Sequence, residues 1–472
     1  MGTVIMNIST TRTLTATEGP AGLLRELSPA ERWYWIIDQL STLNVSARVR
    51  VDGELSTEAL RAALDSLRAR HPYLRLAIAD EASGPRFSST DNPIPLREVH
   101  SDEVDNARWA REVDVHEFAE PIDWRSGPLA RAVVIRQPGQ VTDLIISIPH
   151  CIADGTTALA LLRQWVQLSA TPPANRGDLV GDLVGDLVGD RVPLPAESLF
   201  QAHHREMSDL PDKEPEAENE SEPAYEGQVG RFVPDRFVPF DQRRTRMLHR
   251  AVDGDALENL LLACRRQGVT MHGVLAAAMA CAVARDAGAE PRTPFAVGSP
   301  VDFRDELTRP VAEDEVGCYV SAVHSVVAYQ PDDLWTMARF VNSDIAERRR
   351  RGEQFSVFSL LASGGPRGIA DSETFVRYIE EHGSFNFFVS NIGRFEFPDA
   401  AGGLRLSGAQ FVGGISVVGY FASSVSTCHD QLSWNFTYID DAVSRERAER
   451  VVDDCVATVL AAADAVTTTA RP

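Results

Sequence analysis

The sequence predicts an α/β protein built in two halves, each a sheet covered by helices. Three observations carry this. Strand-like and helix-like segments alternate from residue 27 to about 170, the character turns polar and repetitive between 171 and 245, and the alternation resumes from 246 to 472. A chain of 472 residues is also too long for one compact core. The expected organisation is therefore an N-terminal subdomain over 1–170, a partly disordered crossover linker over 171–245, and a C-terminal subdomain over 246–472.

In the first half, Ser56 is placed to cap a helix whose Leu60, Ala63, Leu64 and Leu67 recur at helical spacing. "YLRLAI" (73–78) then alternates like a strand. "ARAVVIRQ" (130–137) and "TDLIISI" (142–148) read as strands joined by a turn at "PGQ", and a helix follows Gly155. The middle carries a repeat of a four-residue unit, "GDLVGDLVGDLVGD" (177–190), too short in period for a solenoid and read as an insertion in a tolerant loop. "DLPDKEPEAENESEPAYEG" (209–227) is acidic, proline-containing and almost free of apolar residues, the composition of a solvated linker. Beyond it, "DALENLLLACRRQG" is an amphipathic helix ended by glycine. "TMHGVLAAAMACAVARDAG" reads as a buried helix capped by Thr270 and apolar nearly all round. "PFAVGSPVDF", "GCYVSAVHSVVAY", "GSFNFFVSNIG", "GISVVGYFASS" and "QLSWNFTYI" read as strands, and "RERAERVVDDCVATVLAAADAV" as a closing helix.

Composition narrows the function. A formal net charge of −22 makes nucleic acid and anionic membranes poor partners. No apolar run approaches the roughly 18 residues of a membrane span, and the opening stretch lacks the pattern of a secretory signal, so a cytoplasmic location is expected. The six cysteines are scattered without a C-x-x-C pair, which speaks against a disulfide framework or a zinc site and for reduced thiols. His203, His204 and Glu206 fall in the linker and are a weak basis for a metal site. The phosphate-loop, dinucleotide-binding, G-x-S-x-G and H-E-x-x-H patterns do not occur.

The informative stretch is "IPHCIADG" (148–155). A strand delivers His150 to an edge where the backbone turns; Gly155 is expected to supply the freedom for that turn, with Thr156 or Thr157 capping the next helix. His150 is either a histidine satisfied by a local hydrogen bond or a general base held in one orientation. Asp154 lies on the same turn, where a structural latch is favoured over proton transfer.

These residues resemble the H-x-x-x-D-G signature of the chloramphenicol acetyltransferase-like superfamily, which includes condensation domains, BAHD acyltransferases and the phthiocerol dimycocerosyl transferase-like enzymes. "PIDWRSGPLARAVVI" (121–135), "ALDSLRARHPYLR" (63–75), "RRQGVTMHGVLAAAMA" (265–280), "VGSPVDFRDEL" (297–307), "GCYVS" and "FFVSNIG" keep the family's order over nearly the whole chain outside the linker. The resemblance is strongest to the stand-alone polyketide-associated acyltransferases. Two departures matter: Pro149 stands where condensation domains carry a first histidine, and "VDFRDE" (301–306) lacks the glycines of the BAHD D-F-G-W-G motif.

The resemblance implies two chloramphenicol acetyltransferase-like subdomains with an active-site channel between them. His150 would act as general base and deprotonate a hydroxyl that attacks an acyl thioester, a role worth about 10²–10⁴-fold in rate. Asp154 would join it at the site, with Arg304 as its ion-pair partner from the second half and Gly155 beside it; the plainer alternative for Arg304 is a surface arginine next to Asp302 and Asp305. Ser390, Asn391, Ser423 and Thr427 are candidate donors to the developing oxyanion. No bound cofactor or metal is implied; acyl-CoA or a phosphopantetheinyl thioester would be co-substrate. The expected partners are a small-molecule acceptor (a polyketide, glycolipid or other specialised metabolite) and an acyl carrier protein or polyketide synthase, with the enzyme itself a monomer. An amide-forming condensation enzyme and a non-catalytic carrier-protein binder are the rival readings. The run "ERRRRGEQ" (347–354) is either a solvated helix face or a contact for coenzyme A phosphates or an acidic carrier protein.

Overall fold

A computed structural model of the chain describes residues 23–171, 192–201 and 229–468. The opening stretch, the repeat at 177–190, the acidic run at 209–227 and the His203, His204, Glu206 group lie outside the described residues.

The first half begins with β1 (Leu23–Glu26) and α1 (Pro29–Leu40). Ser28 and Glu31 form a reciprocal capping box there, with Pro29 at the first helical position, so the helix start is written into "LSPAE". Next come β2 (Asn44–Asp52), α2 (Thr57–Arg70), β3 (Leu76–Glu81), β4 (Gly84–Ser89), β5 (Leu96–His100), α3 (Arg108–Glu112), β6 (Arg131–Gln137), β7 (Val141–Pro149) and α4 (Gly155–Ala170). Ser56 caps α2 as expected, and Leu60, Ala63, Leu64 and Leu67 are its buried face. The strand expected at 73–78 starts only at Leu76, because Pro72–Arg75 forms a single tight turn first.

The second half contains β8 (Thr245–Asp253), α5 (Gly254–Gln267), α6 (Met271–Asp286), β9 (Pro294–Asp302), β10 (Val320–Ala328), α7 (Leu334–Arg350), α8 (Ser356–Gly364), α9 (Ser372–His382), β11 (Phe387–Arg394), β12 (Ala400–Ala401), β13 (Leu404–Gly413), β14 (Phe421–Cys428), β15 (Gln431–Ile439) and α10 (Arg445–Thr468). Gly268 ends α5 in the left-handed conformation that favours glycine. Thr270 caps α6, whose side chains from Val274 to Ala284 are all buried. Among the described residues no single helix is long and apolar enough to cross a membrane; α5 and α6 reach that length and composition only as a pair bent by 98°.

Two six-stranded mixed sheets result, ordered β12-β13-β2-β7-β6-β5 and β10-β9-β11-β14-β15-β8. The linker does not divide them. β12 and β13, from the second half of the sequence, complete the first sheet, with β13 antiparallel to β2 from Arg405↔Asp52 to Gly413↔Val45. The segment "GISVVGYFASS" is a strand only from Phe421; residues 414–420 form the bend that carries the chain from the first sheet back to the second. The link is tightened by Gly414 N donating to the Asn44 carbonyl and by the Ser416 hydroxyl donating to the Ile37 carbonyl. Residues 192–201, inside the expected linker, pack as structure: Leu199 and Phe200 are buried in a cluster with Trp33, Phe303 and Phe355.

Candidate active site

His150 sits at the end of β7, a strand whose residues from Thr142 to Pro149 are all buried. Its main-chain N–H donates to the Leu43 carbonyl at 3.1 Å, which fixes where the side chain leaves the sheet. The half-buried ring lies flat on Tyr34 of α1, with centroids 4.6 Å apart and planes 8° from parallel. On its other side the Nδ1 edge meets the Cys318 Sγ at 3.6 Å. The ring lines a cavity of about 1230 Å³ between the two halves, in company with Trp33, Tyr34, Phe385, Phe388 and Phe411.

Burial is the largest influence on His150 and draws its pKa below the ordinary histidine value. Main-chain hydrogen bonds at His150 and Ala153 and the charge of Asp154 act in the opposite direction. The imidazole is therefore neutral at physiological pH, the form a base requires. Burial and the Asp154 charge push the Cys318 thiol well up, so it stays protonated and is a poor nucleophile.

Asp154, 4% exposed, does not face the cavity as a free carboxylate. Its Oδ1 accepts from Thr157 N at 2.9 Å and caps α4; its Oδ2 accepts from Tyr319 N at 2.8 Å. Arg304, 6% exposed, donates from Nη2 to Asp154 at 2.9 Å and to the Thr157 hydroxyl at 3.0 Å, and pairs through Nη1 with Asp302. Burial opposes ionisation of Asp154, yet the Arg304 charge, with hydrogen bonds from Arg304, Thr157 and Tyr319, holds its carboxyl below the usual range. The surface-arginine alternative for Arg304 is thus set aside. The pair ties the start of α4 in one half to the end of β9 in the other.

Other expectations need correction. Asp154, not Thr156 or Thr157, is the helix cap. Gly155 is not in a left-handed conformation; a Cβ there would lie 2.5 Å from the Phe411 ring, so close approach of β13 is what requires glycine. Ser390 and Asn391 line the cavity, and the Asn391 Oδ1 already accepts from Gly393 N. Ser423 and Thr427 do not line it. Side chains alternate along β14, so Ala422 and Ser424 face the cavity while Ser423 is buried on the opposite side. The arginines of 347–354 are largely neutralised: Arg350 and Arg351 pair with Glu347, Arg348 with Asp344 and Glu353, and Arg349 with Glu306. That favours the solvated helix face. Among the described residues there is no cluster of metal-ligating side chains.

Tyr34 and Cys318 were not singled out in the sequence. They stand 116 residues before and 168 residues after His150, and no local pattern points to either; only the folded chain brings them to one ring.

Two family models match the chain: a condensation domain over residues 25–171, and the phthiocerol/phthiodiolone dimycocerosyl transferase C-terminus over residues 242–433. Both matches are to families of the chloramphenicol acetyltransferase-like superfamily, which the chain resembles in each half. Similar superfamily members include phosphinothricin tripeptide synthetase PhsC of Streptomyces viridochromogenes, 33% identical over 146 residues, covering 29% of this chain and 13% of that protein. A probable non-canonical nonribosomal peptide synthetase, CymA, of Salinispora arenicola is 27% identical over 315 residues, covering 62% and 4%. The chain therefore spans only a small part of these relatives' length. Solved structures with the same fold include polyketide synthase associated protein 5 from Mycobacterium tuberculosis (TM-score 0.61, 18% identity, 93% of this chain and 99% of that one). The epimerization domain of tyrocidine synthetase B is another (TM-score 0.63, 16% identity, 95% and 98%). The chain is thus similar to a condensation domain over its first half and to the dimycocerosyl transferase C-terminus over much of its second.

Proposed function

We propose that the protein is an O-acyltransferase, moving an acyl group from a coenzyme A or carrier-protein thioester to a hydroxyl of a polyketide, glycolipid or related specialised metabolite. The observation that carries this reading is one neutral imidazole, His150, fixed between Tyr34 and Cys318 and facing a cavity large enough for two substrates. The acceptor hydroxyl gives its proton to the imidazole as its oxygen attacks the thioester carbonyl. The tetrahedral oxyanion then collapses, the C–S bond breaks, and the imidazolium returns the proton to the departing thiolate. Ser390 is the candidate donor to the oxyanion. Asp154 and Arg304 hold the turn that presents His150 rather than carry protons. A starter condensation domain of the same fold, from rhizomide synthetase, has been solved in complex with C8-CoA, which supports a thioester co-substrate.

Amide formation is the second reading, and the condensation-domain match over the His150 half favours it. Pro149, in place of a first histidine, and the match of the second half to the dimycocerosyl transferase C-terminus favour the ester. The deciding experiment offers the protein octanoyl-CoA with paired alcohol and amine acceptors of equal chain length, followed by mass analysis. Ester as the dominant product supports the proposal, amide as the dominant product replaces it, and neither product, with no release of free thiol, leaves a carrier-protein binder.

A further inference from the structure

The end of α1 carries a buried carboxyl group that the chemistry at His150 leaves unused. Asp38 is 5% exposed and sits in the last helical turn, where the free carbonyls of a helix end already concentrate negative charge. Burial pushes its carboxyl up to about 6, against the Leu43 N–H and the charge of Arg131, which act the other way. A carboxyl kept in so unfavourable a place needs a local reason, and its hydrogen bond supplies one. The Oδ1 accepts from Leu43 N at 2.6 Å, across the buried loop 41–43 that joins α1 to β2. The Leu43 carbonyl in turn accepts from His150 N at 3.1 Å. Leu43 also lines the cavity with the His150 ring. One side chain at the helix end is thus two hydrogen bonds away from the main chain of His150.

The same helix reaches His150 by a second route. Tyr34 stands four residues before Asp38, so the two side chains leave neighbouring positions on one helix face. Tyr34 stacks on the imidazole, while Asp38 sets the loop that holds the His150 main chain. The flanks of that loop are tied to the second half: the Ser41 hydroxyl donates to the Arg243 carbonyl at 3.0 Å, and Gly414 N donates to the Asn44 carbonyl at 2.9 Å. Those bonds fix where the loop lies, and the Asp38 bond fixes how Leu43 is turned within it. Around the carboxyl stand Gln39 of the same helix, the Cys151 thiol next to His150, and the Arg131 guanidinium of β6. The His150 pKa answers to burial, main-chain hydrogen bonds and Asp154, so Asp38 acts on the ring through geometry rather than charge.

We propose that Asp38 is a positioning residue for His150, setting the main chain of the general base through Leu43 while Tyr34, on the same face of α1, sets its ring. This rests on the general-base reading, and the first readout needs no turnover. With histidine isotopically labelled in the ring, the His150 Hε1 resonance is assigned by its loss in His150→Ala. Its ring-current displacement by Tyr34 is defined by Tyr34→Leu. Asp38→Asn keeps an oxygen for the Leu43 N–H and should leave the resonance in place. Asp38→Ala removes that oxygen and Asp38→Glu moves it by one carbon, so both should lose most of the displacement. The His71 resonance, from a buried ring bonded to Gln164 in the same half, should stay where it is in all three. In acyl transfer from octanoyl-CoA to an alcohol, Asp38→Ala should lower kcat about 10- to 100-fold with KM for the donor within about 2-fold, because the base is misplaced and no binding contact is lost. Asp38→Asn should stay within about 3-fold of the wild-type kcat. Melting temperature is read for every variant, and Asp38→Glu stands in where Asp38→Ala melts too low. An unmoved His150 resonance, equal losses in the Asn and Ala variants, a His71 displacement as large as that of His150, a KM that rises as kcat falls, or failure of both the Ala and Glu variants to fold would overturn the assignment. The predicted resonances together with no acyl transfer by the wild-type protein would leave Asp38 as the residue that sets His150 and remove the enzymatic reading.

Discussion

Replacing Asp154 by asparagine tests whether the two halves are held together at the site by an ion pair. The carboxylate and the guanidinium are 4% and 6% exposed and meet at 2.9 Å. Removing one charge strands the other in a poorly solvated place, a change that typically costs about 3–5 kcal/mol for a buried pair. The asparagine would keep an oxygen for the Thr157 N–H but turn an N–H₂ towards either Arg304 or the Tyr319 N–H, both donors. Asp154→Ala should cost about 1 kcal/mol more, through loss of the helix cap. Arg304→Met alone should cost a similar amount to Asp154→Asn, because it strands Asp154. The double variant should cost clearly less than the two singles together, with a coupling of about 2 kcal/mol or more. Urea unfolding followed by tryptophan fluorescence on wild type, the two singles and the double measures this directly. Additivity within about 0.5 kcal/mol would refute the claim that the pair acts as a staple, whatever happens to activity.

Other outcomes follow from the same geometry. Gly155→Ala should destabilise by about 1–3 kcal/mol, since the new Cβ falls on the Phe411 ring, and Gly155→Ala with Phe411→Leu should recover part of it; an unchanged melting temperature for the single variant would contradict the close approach. The acid limb of the rate–pH profile should have its midpoint below the ordinary histidine value near ~6.5, because burial favours the neutral form of His150; a midpoint above that value would mean a cationic ring. His71, 6% exposed and bonded to Gln164, is pushed down to about 4 by burial. The unfolded chain then binds more protons than the folded one between about 6.5 and 4, so this contribution is complete above the upper value and is lost as pH falls, by about 3 kcal/mol in all. His71→Gln should flatten that part of the stability–pH curve, and an unaltered slope would count against the assignment.

The readable parts of this sequence were local. Capped helices announced themselves through Ser56 and Thr270, and the β6–β7 hairpin through its apolar runs around "PGQ". His150 and Asp154 stood out because a strand, a turn and a helix meet there within a few residues. β13 is not legible in the sequence: "LRLSGAQFVG" has a glycine inside it and a break in register between Ser407 and Gln410, and its pairing to β2 joins residues some 350 positions apart. The same long range hid Tyr34 and Cys318, and made Gly155 look like a turn residue when Phe411 is what demands it. At Ser423 the difference is one of parity: a strand's two faces alternate, and a shift of one residue separates the cavity-facing Ser424 from its buried neighbour.

Whether the His150 ring, held by Tyr34 and Cys318, removes the proton from the attacking group is measured most directly by single-turnover acyl transfer. Octanoyl-CoA and an alcohol acceptor are the substrates, release of free thiol is the signal, and wild type is compared with His150→Ala of equal melting temperature. The variant is predicted to retain less than about one hundredth of the wild-type rate, in line with what general bases contribute. A variant that keeps more than about a tenth of that rate would contradict the general-base role.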